Sequence, residues 1–113
     1  MINLQRHPIV VLVTTSDKKE AERISHSLLN EKLIACANII GPVHSLFRWA
    51  GKIEKVREYV VLMKSRSDLF EKLSERVKAL HTYDVPEIIA LPIGQGSLEY
   101  LKWIDSSLEL PNE

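Results

Sequence analysis

The pattern of apolar and polar positions divides the chain into alternating strand-like and helix-like stretches. Pro8 is followed by the β-branched run Ile9, Val10, Val11, Leu12 and Val13, the signature of a short strand buried on both faces. Ser16 and Asp17 then precede Glu20 at capping spacing, and Ala21, Ile24, Leu28 and Leu29 recur at helical intervals, which predicts a helix over residues 17–31. Residues 33–40 are compactly apolar and Gly41-Pro42 interrupts them. Val43, Ser45, Phe47 and Trp49 next alternate with His44, Leu46 and Arg48 at the strand period of two. Ala50-Gly51 offers a reversal, and residues 53–64 resume the alternation with Tyr59, Val61 and Met63 on one face. Residues 33–64 therefore read as one long hairpin, with Gly41-Pro42 as a bulge because proline cannot donate to a ladder.

Ser67-Asp68-Leu69-Phe70-Glu71 repeats the capping signature, and Leu69, Phe70, Leu73, Val77 and Leu80 form the apolar stripe of a second helix. Residues 81–86 break it, residues 87–91 form a short strand, and Gly94-Gln95-Gly96 leads to a last helix presenting Leu98, Leu101, Ile104 and Leu108. The order is β-α-β-β-α-β plus a terminal helix. This predicts an α+β fold, a ferredoxin-like sandwich with a long central hairpin, occupying residues 1–113 as a single domain.

The hairpin arms exceed the usual strand of about five or six residues roughly twofold. Two helices cover only part of such a ribbon, which leaves Val43, Phe47, Trp49 and Ile53 without partners in their own chain. Other copies are expected to cover them, and a ribbon that leaves its own domain to pair with the next closes as a ring.

Fifteen Lys+Arg balance fifteen Asp+Glu, so no bulk field draws the chain to nucleic acid or anionic lipid. The strands also lack the aromatic platforms and basic rim of an RNA-binding sheet. The apolar run 9–13 is far short of a membrane span, and residues 1–8 contain no signal-peptide core, so a cytoplasmic protein without membrane or nucleic-acid partners is expected. One cysteine, Cys36, excludes an internal disulfide and paired-thiol metal motifs. Nucleotide loops and nucleophile elbows are absent.

Few residues remain to carry chemistry. Cys36 is either a small packed hydrophobe or one half of a Cys36/His81 pair. His81 lies where a cation would meet a helix C-terminus, or where a neutral imidazole would ligate a metal. The four histidines include no His-x₃-His ligand pair. Lys64 and Glu87 bound apolar strands and suggest an ion pair near His81 and Tyr83, either a functional polar cluster or a structural pair across a subunit contact.

Ala35-Cys36-Ala37-Asn38-Ile39, Gly41-Pro42-Val43-His44-Ser45, Trp49-Ala50-Gly51-Lys52-Ile53-Glu54, His81-Thr82-Tyr83-Asp84-Val85-Pro86-Glu87 and Tyr100-Leu101-Lys102-Trp103 together resemble the ordered signature of the CutA1 divalent-cation tolerance family. The resemblance spans residues 9–108. It implies a PII-like homotrimer of ferredoxin-like protomers that is not an enzyme and tolerates or binds divalent metal, copper foremost and weakly held. It also implies a polar cluster at Cys36, Lys64, His81, Tyr83 and Glu87, with Cys36 and His81 as metal donors and Lys64, Tyr83 and Glu87 as cofactor-binding residues. Thr82 stands where the family usually has proline and Phe47 where tyrosine is common. Val13 and Leu80 replace an extra thiol and a second histidine found in some members, and two donors do not close a site. The alternative function is a PII-like signalling module that binds a small anionic metabolite in clefts between subunits and acts on a protein partner.

Overall fold

The computed structural model describes residues 6–110. Four strands and three helices follow in the order β1 (Pro8–Thr15), α1 (Lys18–Asn30), β2 (Cys36–Trp49), β3 (Lys52–Arg66), α2 (Phe70–Leu80), β4 (Ile88–Pro92) and α3 (Leu98–Ser106). The strands form one antiparallel sheet in the order β2-β3-β1-β4. Placing β3 between β1 and β2 is the split β-α-β arrangement of the ferredoxin-like fold.

Period two decides what each face of the sheet meets. Ile9, Val11, Val13, Val61 and Met63 point to the helices and are buried with Ala21, Ile24, Leu28, Leu73 and Val77. The opposite face carries Val10, Leu12, Val60 and Leu62, along with Ile40, Ile89 and Leu91, which are about half exposed.

Capping follows the sequence at one helix and departs from it at the next. Asp17 accepts a hydrogen bond from the Glu20 N–H at 2.8 Å, as expected for α1. No side chain caps α2, because its Ser-Asp pair is used elsewhere: Ser67 Oγ accepts from the His7 N–H at 3.0 Å, and Asp68 pairs with Arg66. A short 3₁₀ turn, Ser67–Leu69, leads into the helix instead. α3 ends at Ser106, two residues before the buried Leu108.

The ribbon is as long as its alternation implies, 14 residues in β2 and 15 in β3. Register slips between Ile40 and Val43, where Gly41 and Pro42 face the single residue Tyr59; this is the expected bulge. The Tyr59 ring packs against the Gly41 α-carbon, where a Cβ would lie 2.5 Å from Tyr59 Cδ2. At the far end Trp49 is 68% and Ile53 72% exposed.

Candidate functional site

The polar residues of interest fall into two clusters on different parts of the sheet. The first is on the open face. Antiparallel pairing sets Cys36 opposite Lys64, and period two brings Asn38 to the same side. Lys64 Nζ donates to Asn38 Oδ1, Cys36 Sγ lies 3.8 Å from that oxygen, and the Tyr100 hydroxyl reaches across from α3 to 3.9 Å from the sulfur. Burial, and then the contact with Cys36, raise the Tyr100 phenol above its ordinary value.

The second cluster joins the segment after α2 to the start of α1 and to the ribbon. The His81 side chain is fully buried. Its Nε2 lies 2.7 Å from the Thr14 carbonyl, which can only accept, so Nε2 carries the proton. Its Nδ1 accepts from the Tyr83 N–H at 3.0 Å. Both ring nitrogens are therefore engaged, and ligation of a metal by His81 requires release of one of these partners. Tyr83 in turn donates its hydroxyl to Glu58 Oε2 at 2.8 Å. Burial foremost, with help from Glu58, pushes the Tyr83 phenol up to about 12.

Glu20 completes this cluster. Its Oε2 accepts from the Thr82 N–H at 2.7 Å, and its Oε1 accepts from the Ser16 N–H and hydroxyl, each at 3.2 Å. Burial raises this carboxyl, but the hydrogen bonds from Thr82 and Ser16 outweigh it and hold Glu20 below the usual carboxylate range.

The two clusters do not meet within a protomer. His81 binds at Thr14, which pairs with Val60, whereas Cys36 pairs with Lys64. The offset is four residues along β3, about 13 Å at strand rise. The Cys36/His81 pair drawn from the sequence, whether as nucleophile or as metal site, is thus not assembled in one chain. Lys64 and Glu87 are separated for the same reason: Ile88 pairs with Val13, and Lys64 with Val10. Glu87 is exposed, and Lys64 bonds to Asn38 in its place.

Pattern reading missed Asn38, Glu58, Tyr100 and the second role of Glu20. Asn38 was legible in principle, two residues from Cys36 on an alternating strand. Glu58 was not, since nothing in the pattern shows that the Tyr83 hydroxyl, 25 residues away in sequence, reaches this particular acid of the ribbon. Among the described residues no group of three or more His, Cys, Asp or Glu side chains is placed to hold a metal. Around Cys36 a thiol, an amide oxygen and a phenol share their space with an ammonium, a donor set that does not fit a divalent cation within one protomer.

These features define a class: an α+β sandwich with an overlong ribbon and an uncovered sheet face that bears a thiol. Comparisons with known proteins narrow it further. The family model described as CutA1 divalent ion tolerance protein matches residues 9–107, and the chain belongs to that family. It is 46% identical over 95 residues to the divalent-cation tolerance protein CutA of Thermus thermophilus, covering 84% of this chain and 92% of that one. It is likewise 46% identical over 99 residues to the chloroplastic protein CutA 1 of rice, covering 88% of this chain and 56% of that protein's length. The solved Thermus thermophilus structure superposes with a TM-score of 0.88 at 43% identity, covering 90% of this chain and 99% of that one. A structure from Archaeoglobus fulgidus, described as a periplasmic divalent cation tolerance protein, superposes with a TM-score of 0.87 at 43% identity, covering 90% of this chain and 99% of that one. The family name denotes tolerance to divalent ions and no reaction. Its members are not confined to the cytoplasm.

Proposed function

We propose that the chain works as a cytoplasmic, non-enzymatic homotrimer of PII-like architecture that binds divalent metal, copper foremost, at clefts between subunits. The observation that carries this reading is the uncovered sheet face, which leaves Ile40, Ile89 and Leu91 half-exposed and bears the Cys36 thiol on its β2 edge, together with the apolar end of the ribbon. An uncovered apolar sheet calls for a second layer, and ring symmetry supplies one from neighbouring copies. Each protomer offers one thiol, Cys36, so a closed site needs donors from other copies; His81 joins only after releasing Tyr83 or Thr14. Thiolate donors favour copper over magnesium or calcium.

Sedimentation at micromolar protomer concentration is expected to give a particle three times the 12.9 kDa chain. A folded 12.9 kDa species would remove the clefts and the reading with them. Copper titration calorimetry is expected to show binding to the wild type that Cys36→Ala abolishes. Undiminished binding by Cys36→Ala would overturn the metal assignment.

One observation favours the second reading, a PII-like module for a small anionic metabolite. The Lys64 ammonium is paired with an amide and with no carboxylate among the described residues, and it stands beside Cys36 on the open face. A ligand at a hundred times its Kd adds about 2.7 kcal/mol of stability, so a thermal-shift screen of small anions tests this directly.

A further inference from the structure

A cleft of about 330 Å³ lies on another part of the molecule, between α3 and the adjoining ends of β1 and β3. That volume is at the lower end of small-molecule sites. Pro8, Leu101 and Ile104 supply apolar walls, and Arg6, Arg66 and Lys102 bring three cations to the lining. Arg66 is the telling member, because its side chain is only 5% exposed. Its guanidinium bonds to both Asp68 oxygens, to Asp105 Oδ1 and to the Glu109 carbonyl, which accounts for four of five N–H groups. The fifth, on Nη1, has no partner among the described residues. Arg6 and Lys102 likewise have no carboxylate partner among them. A buried guanidinium with a spare donor beside two rim cations is an anion-binding arrangement.

Asp105 limits the charge of the occupant. Its carboxylate shares the lining, so a dianion such as phosphate meets about twice the repulsion that a monoanion meets there. Phosphate would also leave the apolar walls unused. We propose that this cleft binds a small organic carboxylate with a short apolar body, its charge held by Arg66, Lys102 and Arg6 and its body set against Leu101 and Ile104. The site lies within one protomer and is independent of the metal and of Cys36.

The test titrates metal-free, full-length protein with benzoate, its neutral isostere benzamide, and inorganic phosphate, followed by amide NMR shifts. Benzoate is expected to move the amides of residues 65–66 and 101–106 saturably, with benzamide and phosphate at least about tenfold weaker. Lys102→Met, which keeps the apolar stem and removes a rim charge, is expected to weaken benzoate about fivefold and leave benzamide unchanged. The proposal fails if benzamide binds as well as benzoate, if Lys102→Met leaves the benzoate affinity unchanged, or if the shifts lie elsewhere or are absent.

Discussion

Replacing Arg66 with methionine tests whether one buried guanidinium holds α3 and the residues just after it to the sheet. Arg66 ends β3, and its hydrogen bonds reach Asp68, Asp105 on α3 at 2.8 Å and the Glu109 carbonyl at 2.9 Å. At roughly 1.5–3 kcal/mol for each bond to a charged group, a simple sum would far exceed the true cost. Two corrections bring it down. Methionine no longer needs a charge removed from water, which offsets several kcal/mol, and Asp105, 67% exposed, rehydrates freely. What remains is Asp68, 18% exposed and stripped of a bidentate partner, at about 2 kcal/mol, and one orphaned carbonyl at about 1 kcal/mol. The expected loss is therefore about 3 kcal/mol. Urea unfolding at matched protomer concentration reads it as a midpoint drop near 2 M for a slope of about 1.5 kcal/mol per M. Amide exchange should quicken most over residues 98–109. Asp105→Asn, which removes only a solvated partner, is expected to cost under about 1 kcal/mol. An Arg66→Met loss below about 1 kcal/mol, or equal losses from the two variants, would refute the clamp.

Four further outcomes follow from the same geometry. Glu20 titrates below the usual 4.5 in the folded chain, so its contribution is present above that value and is lost as pH falls through the depressed one; Glu20→Gln should flatten the acid limb of urea midpoints measured between pH 7 and pH 3. Tyr83 shifts the other way: its contribution is intact below pH 10 and lost as pH rises toward about 12, so phenolate absorbance should show a late step that Tyr83→Phe removes and Glu58→Gln moves back toward 10. Gly41→Ala places a Cβ 2.5 Å from the Tyr59 ring and should cost about 1–3 kcal/mol by urea unfolding, with Tyr59→Ala relieving part of the loss in the double variant. Lys64→Met removes the ammonium beside Cys36 and should tighten copper at least about tenfold by calorimetry while weakening any anion held on the open face.

The fold was legible because its elements obey their own periods. The α1 stripe of Ala21, Ile24 and Leu28 had to meet the sheet, but β1 buries Ile9, Val11 and Val13 on one face only, where its unbroken apolar run implied burial on both. The ribbon and its bulge were equally readable, since Gly41-Pro42 separates a compact apolar run from the alternation that follows it. Pairing offsets were not legible. The sequence places Lys64 and Glu87 each at a strand end, but the four-residue difference in where they meet β1 appears only once register is fixed. The α2 cap failed for a different reason. Ser67 and Asp68 have the right spacing, yet His7 and Arg66, distant or misaligned in the pattern, compete for the same side chains and win. Local rules describe what a polar group can do, and tertiary neighbours decide which option is taken.

The open face poses a choice of sign. Asn38 Oδ1 accepts from the Lys64 ammonium and lies 3.8 Å from the Cys36 sulfur, so a metal ion drawn to that thiol approaches a site already occupied by positive charge. In a low-dielectric contact between subunits the repulsion would amount to several kcal/mol, enough to offset a large part of a thiolate bond. Copper binding at Cys36 therefore requires Lys64 to swing away or a neighbouring copy to contribute a compensating carboxylate. An anion requires neither, since it meets Lys64 with its charge already matched. The metal and metabolite readings accordingly compete for one position of one side chain, and in the proposed trimer the position Lys64 takes would determine which ligand the face accepts.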